Sequence, residues 1–288
     1  MVIYDGTHSM TIIPDGTPIY NWTTGKMNGI NTWNTWRLIP SSRPVFNPPS
    51  PKTNLIDIPG ANGVLDATEI LTSFVAFNNR EGNFEFYVAN GYKEWYDRYS
   101  QIMQYLHGRK VKVVLNDDLM YYYQGRMSVN QWRSEKEYSK IVLNYSMDPY
   151  KYECIASDED WLWDPFNFPN GIIRNYKDFV IRNTNVEGDH AYKEIYVENN
   201  YLPVVPTFKI KHLHTLAIDP VTAYCQIRKY GSDNTTVIAE KRIYPTDYLT
   251  HEYKWYDVKI SRDARKIAFW CPANDEYQIT MSLRGGKL

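Results

Sequence analysis

The sequence has few cysteines, no excess of either charge and no long apolar run. Its three cysteines, Cys154, Cys225 and Cys271, are odd in number and widely spaced, so they form neither a disulfide framework nor a CxxC motif. The 32 Lys and Arg residues offset 33 Asp and Glu residues, which leaves no basic surface for nucleic acid or anionic lipid. Without a stretch of about 18 apolar residues or a charged leader, we expect no membrane insertion and no signal peptide.

Motifs of catalysis are missing as well. The chain has no GxSxG, P-loop, GxGxxG, HExxH or EF-hand sequence. His212 and His214 would share one strand face, but no third ligand stands at a supporting spacing, so we expect no metal site. The acidic runs Asp117-Asp118 and Asp158-Glu159-Asp160 fall in turns, where adjacent acids usually face water. The sequence therefore predicts a protein that is not an enzyme and binds no cofactor.

Aromatic residues are abundant, with 25 tyrosines and 9 tryptophans, and together with many β-branched residues they favour strands. One helix is predicted over residues 92–107, because four apolar residues recur on one face of a 3.6-residue period. These residues are Trp95, Tyr99, Ile102 and Leu106. Alternating strands follow the helix, and this combination predicts a first domain over residues 1–153 that is a β-sandwich with one packed helix.

The second half of the chain has a different pattern. Beyond residue 153 the sequence consists almost entirely of short strands with turn residues between them, at a spacing of about 10–15 residues. This spacing is typical of a β-sandwich or jelly roll. We therefore predict a mainly β protein whose second domain covers residues 154–288.

The most unusual segment runs from Asn31 to Glu69. It holds six of the sixteen prolines within twenty residues, whereas none occurs from Gly60 to Asp148. Proline fixes φ and removes a backbone donor, so this segment cannot be a helix or a central strand. It also carries many large apolar side chains, and leaving each one in water costs about 1.5–3 kcal/mol.

A stiff apolar arm needs a surface on which to lie. We predict that a belt over about residues 31–60 lies on a neighbouring subunit, and that the Pro59–Gly63 turn closes its far end. The residues predicted to make this subunit contact are Trp33, Trp36, Arg43, Val45 and Phe46.

Aromatic residues of the second domain suggest an alternative function. In a β-sandwich, Trp255, Tyr256 and Trp270 would be candidates for stacking on sugars, as rings at strand ends do in lectin-like modules. The chain would then be a carbohydrate-binding β-sandwich protein for cell-wall or surface glycans. Core packing is the competing explanation, because Trp and Tyr bury large areas.

The first 153 residues resemble the distal tail protein (Dit) family of long-tailed phages that infect Gram-positive bacteria. The resemblance rests on an ordered set of segments, and the second half matches more loosely, as a galectin-like or carbohydrate-module-like domain. The segments are TWNTWRLIPSSRPVFNPPSPKTN, IPGANGVLDATE, FNNREGNFEF, NGYKEWYDRYSQIMQYLHGRKVKVVLNDD, YYYQGRMSVNQW and DPYKYE.

The resemblance implies an architectural role in the virion. Six copies would form a ring through their N-terminal domains, and each belt would clasp the next subunit. The homohexamer would join the tail tube protein to the tail-tip (tail-associated) protein at the baseplate, with a central channel through which DNA passes. The galectin-like domains would project outward and hold receptor-binding proteins for host adhesion. Assembly would take place in the cytoplasm of the bacterial host.

Overall fold

A computed structural model describes most of the chain. The described residues are 8–21, 23–70, 75–88, 95–134, 139–155, 176–184, 191–197, 203–215, 223–261 and 264–288. The chain divides into two compact units, Met1–Cys154 together with Leu288, and Ile155–Lys287. The prediction of a mainly β protein with one packed helix is confirmed.

The first unit is a long antiparallel sheet that carries one described helix. Its strands lie in the order β4-β1-β9-β10-β11-β8-β5, with β12 beside β10. Among the described residues, two short hairpins, β2–β3 and β6–β7, are not hydrogen-bonded to this sheet, although Tyr20 and Met27 of β2–β3 pack against its residues. The elements are β1 (Met10–Pro14), β2 (Tyr20–Asn21), β3 (Lys26–Met27), β4 (Ile30–Asn31), β5 (Leu38–Pro40), β6 (Leu55–Asp57), β7 (Val64–Asp66), β8 (Arg80–Val88), α1 (Trp95–Leu106), β9 (Arg109–Leu115), β10 (Tyr121–Ser134), β11 (Ser139–Met147) and β12 (Lys151–Glu153).

Hydrophobic periodicity explains how this core forms. Ile102 and Leu106 of α1 are fully buried, as the helical period predicts, and Tyr99 packs edge-on against Trp132 of β10. Along β11, buried and half-buried residues alternate, which is the period of a strand with one covered face. Helix α1 ends before Gly108, whose φ of +72° is the left-handed conformation that favours glycine after a helix.

The second unit is a β-sandwich of two antiparallel four-stranded sheets. One sheet has the order β13-β20-β15-β18 and the other has the order β14-β19-β16-β17. Phe269 of one sheet contacts both Phe179 and Phe208 of the other, with ring centroids 5.1 Å and 6.0 Å apart, so the core lies between the sheets. The elements are β13 (Phe179–Arg182), β14 (Ala191–Tyr196), β15 (Thr207–Thr215), β16 (Cys225–Tyr230), β17 (Val237–Ile243), β18 (Thr250–Lys254), a 3₁₀ helix (Tyr256–Val258), β19 (Lys266–Cys271), β20 (Asp275–Ser282) and β21 (Gly286–Lys287).

Length and apolarity decide whether a helix can cross a bilayer. Among the residues that the structure describes, no helix meets both requirements.

Candidate assembly surface

The first part of the proline-rich arm is anchored in its own domain. Phe46 is only 3% exposed and lies in the core of the first unit. Its ring centroid is 4.1 Å from that of Tyr123, 4.8 Å from that of Tyr145 and 5.0 Å from that of Phe84. Aromatic pairs at these separations add about 0.5–1.5 kcal/mol each beyond the area they bury. The arm is therefore fixed to the sheet at Phe46.

Hydrogen bonds hold the backbone beside Phe46. The Asn47 amide donates to the Tyr145 hydroxyl at 2.9 Å, and the Asn47 carbonyl accepts from Arg80 Nη1 at 3.0 Å. Arg80 is buried, and its Nε also donates to the Pro149 carbonyl at 2.8 Å. Burial lowers the pKa of this guanidinium, but an arginine stays charged at any physiological pH.

A second attachment follows a few residues along the arm. The Lys52 amide donates to the Ala76 carbonyl at 2.8 Å, and the Asn78 amide donates to the Ser50 carbonyl at 2.9 Å. These two hydrogen bonds hold the arm beside residues 76–78, just before the β6–β7 hairpin begins. The arm root, residues 41–53, is thus part of the first unit.

The β6–β7 hairpin beyond the root has the opposite character. Every residue of both strands is exposed, and in the described residues β6 and β7 pair only with each other. Its turn begins at Pro59-Gly60, where Gly60 has a φ of +85° and the Ala61 amide donates to the Ile58 carbonyl at 3.0 Å. Proline followed by a left-handed glycine is the signature of a type II turn. The turn chemistry therefore specifies the hairpin, and among the described residues none of its strand positions belongs to a hydrophobic core cluster.

The register of the hairpin gives its two faces different chemistry. Ile56 is opposite Leu65, and because side chains alternate, Ile58 shares their face. These three apolar side chains are 44–48% exposed. The other face mixes exposed Leu55 and Val64 with Asp57 and Asp66. One face of the hairpin is thus entirely aliphatic.

The predicted belt residues lie in two different environments. Trp36 and Phe46 are buried in the core of their own domain. The prediction that they contact a neighbouring subunit is therefore wrong. Trp33 is half-buried under the Arg37 guanidinium, and Arg43 Nε donates to Asp117 at 2.8 Å within the same chain. Val45 is 67% exposed. The predicted belt of residues 31–60 includes Ile56 and Ile58, but the residues predicted to make the subunit contact did not include the hairpin face.

The predicted glycan residues do not share one platform. Trp255 is half-buried and stacks on Tyr253 with centroids 5.4 Å apart, whereas Tyr256 is 81% exposed. Trp270 alternates with the core residues Phe269 and Cys271, so it lies on the outer face of its sheet, under the Arg228 guanidinium at 4.6 Å. Trp255 is instead packed against the core between the sheets.

The acidic and histidine candidates have structural partners. Burial draws the pKa of Asp117 upward, but hydrogen bonds from Arg43 and His8 outweigh burial and leave the pKa below its ordinary value. His212 is buried against Asp275, with 2.7 Å between Nε2 and Oδ1. His214 lies in β15, and Asp158, Glu159 and Asp160 are outside the described residues. Within the described part of the chain, no group of His, Cys, Asp and Glu is arranged to hold a metal.

We compared the sequence and the structure of this chain with those of known proteins. Neither a family model nor a curated protein sequence matches the chain. The structure is similar to the crystal structure of the SPP1 Dit protein (gp 19.1), with a TM-score of 0.54 over 96% of this chain and 98% of that chain, at 13% sequence identity. The fold is Dit-like. The SPP1 Dit protein is described as a paradigm of the hub adsorption apparatus in phages that infect Gram-positive bacteria. The resemblance to Dit proteins predicted from the sequence is confirmed at the level of the fold.

Proposed function

We propose that this chain is a structural subunit of a phage tail tip, where copies of it assemble into a hub. The observation that carries the proposal is the exposed aliphatic face of the hairpin, Ile56, Ile58 and Leu65, on an arm whose root is fixed to its own domain. The Dit-like fold over 96% of the chain supports the same assignment.

The physical argument concerns the hairpin as an isolated element. A two-stranded hairpin is at best marginally stable in water when nothing packs on it. Exposing its aliphatic face to water raises the free energy of the isolated subunit, and the same face can serve as a contact surface for another chain. The hairpin differs from the surface that would receive it, so the contact between two copies is heterologous (head-to-tail). Heterologous contacts close into a ring when the rotation from one subunit to the next divides a full turn.

We propose a homohexamer as the closed form. The ring joins the tail tube protein to the tail-tip protein, and DNA passes through its central channel. The second units lie outward and provide attachment for a receptor-binding protein. The protein acts in the virion after assembly in the cytoplasm of the bacterial host, and its role is structural, with no catalytic step and no cofactor.

The test is the mass and shape of the purified full chain. Light scattering after size-exclusion chromatography at micromolar concentration should give about six times the subunit mass, and negative-stain images should show a six-lobed ring with a central hole. A monomer at every salt concentration tried, or an open filament, would count against the hexameric hub.

A further inference from the structure

We infer that Cys225 and Cys271 are a latent disulfide pair that can link two neighbouring strands of the second unit. Strands β16 and β19 are antiparallel, with Ile227 opposite Phe269 and Gln226 opposite Trp270. Continuing this register by one residue brings Cys225 opposite Cys271. The inference rests on the geometry of the second unit and is independent of the proposed function.

Cross-strand geometry suits a covalent link at this position. Residues directly opposite in an antiparallel pair have Cα atoms about 4.5–5.5 Å apart. Disulfides span Cα separations of about 4.4–6.8 Å, so the backbone separation of such a pair lies inside the permitted range. Only the Cβ atoms need to approach, by about 1 Å.

Both side chains point the same way, into the core between the sheets. Cys225 and Cys271 are 0% exposed and belong to the same hydrophobic cluster as Ile227 and Phe269. The chain's third cysteine, Cys154, is buried in the first unit. All three are thiols in this structure. Sequence spacing hides this pairing, because 46 positions separate Cys225 from Cys271 and only the strand register brings them together.

The native environment protects the thiols from oxidation. Burial raises the pKa of the Cys225 thiol well above its ordinary value, and the neighbouring Cys271 and Asp275 raise it further. The attacking species in thiol–disulfide exchange is the thiolate, and it must also reach the oxidant. The pair therefore stays reduced in the folded unit and closes when the unit opens or while it folds under oxidising conditions.

The oxidant in this reaction is a low-molecular-weight disulfide, for which oxidised glutathione is the probe. One cysteine thiolate attacks a sulfur of oxidised glutathione, forms a mixed disulfide and releases one glutathione thiolate. The second cysteine thiolate then attacks the protein sulfur of the mixed disulfide and releases the other glutathione. In total, two protein thiols are oxidised to one disulfide and one oxidised glutathione is reduced to two thiols.

The test uses the full chain with Cys154→Ser, which leaves only the proposed pair. The protein is unfolded in urea, refolded in a mixture of reduced and oxidised glutathione, and alkylated before digestion without reductant. We expect one cross-linked peptide that contains Cys225 and Cys271. We also expect the intact mass to fall by about two hydrogen atoms relative to the reduced protein. The same buffer without urea should close the pair at least about tenfold more slowly, because the folded unit excludes the oxidant.

A thermal readout shows whether the link fits the fold. Cross-linking residues this far apart constrains the unfolded chain, so the unfolding midpoint of the second unit should rise by on the order of 5–10 °C and return after reduction. Cys271→Ser, treated identically, should show no rise. Glutathione adducts without an intramolecular link, or a linked protein that melts below its reduced form, would overturn the inference. If Cys154→Ser does not fold, peptide mapping of the unsubstituted chain decides, and a link to Cys154 would overturn it equally.

Discussion

Replacing the three aliphatic residues of one hairpin face, Ile56→Gln, Ile58→Gln and Leu65→Gln, should prevent assembly and leave the fold intact. The side chains are exposed, and in the described residues their strands pair only with each other. Substitutions at such positions usually change the free energy of unfolding by less than about 0.5 kcal/mol. In the proposed hub, each contact between subunits would lose the apolar area that this face contributes.

The exposed fractions set the size of this loss. At 44–48% exposure, each residue offers roughly 80 Å² of apolar surface, so the three residues together offer on the order of 250 Å². At about 25 cal/mol per Å², covering that surface contributes on the order of 6 kcal/mol to each contact, before the costs of association are subtracted. Even a third of this value, about 2 kcal/mol, weakens each contact roughly thirtyfold.

The assay compares oligomeric mass and thermal stability for the triple variant and a matched control. The control is Val237→Gln with Ile238→Gln, which replaces two aliphatic residues, 42% and 52% exposed, on a strand of the second unit. We expect the hairpin variant to be a smaller species with an unchanged unfolding midpoint, and the control to keep the mass of the unsubstituted protein. A hairpin variant that assembles normally at low micromolar concentration would refute the argument that this face is the contact.

Three further predictions concern the first unit. Phe46→Ala should lower its free energy of unfolding by about 3–5 kcal/mol in a urea titration followed by fluorescence, and a cost below about 1 kcal/mol would contradict the burial of this ring. Asp117→Asn should destabilise the unit at neutral pH. Because the folded pKa lies below the ordinary value of 3.8, the difference from the parent protein should be full above that pH and vanish as the pH falls below it. A difference that persists in acid would rule out this ionisation as its source. Gly125→Ala should cost about 1–3 kcal/mol in the same urea titration, since its Cβ would overlap the Ser146 carbonyl oxygen, and a neutral effect would contradict this close approach.

Residues with a clear period were predictable from the sequence. Ile102 and Leu106 follow the helical repeat, and the alternation along β11 gives its buried face, so local spacing was enough to find the part of the core that α1 and β11 contribute. The proline-rich arm was recognisable by composition alone. Its prolines make the arm stiff and its apolar side chains need to be covered, so the sequence predicted an arm that packs on a surface.

The direction of individual arm side chains was not predictable. An extended segment broken by prolines has no period from which to assign a face. The environment of Phe46 depends on Phe84, Tyr123 and Tyr145, which lie 38 to 99 residues further along the chain and come together only in the folded sheet. The same limit applied to Cys225 and Cys271, whose proximity depends on the register between two distant strands.

The contacts of Arg80 have a consequence for how the first unit opens. One guanidinium donates to the Asn47 carbonyl and to the Pro149 carbonyl, and it also lies over the Tyr123 ring, 5.5 Å from its centroid. The arm root, the start of β8 and the residues before β12 therefore share one side chain and open as one cooperative element. Amide hydrogen exchange would show this as similar protection for Asn47 and for the neighbouring sheet. The Ile56 amide, in a hairpin outside that element, would exchange by local fluctuation long before the sheet opens.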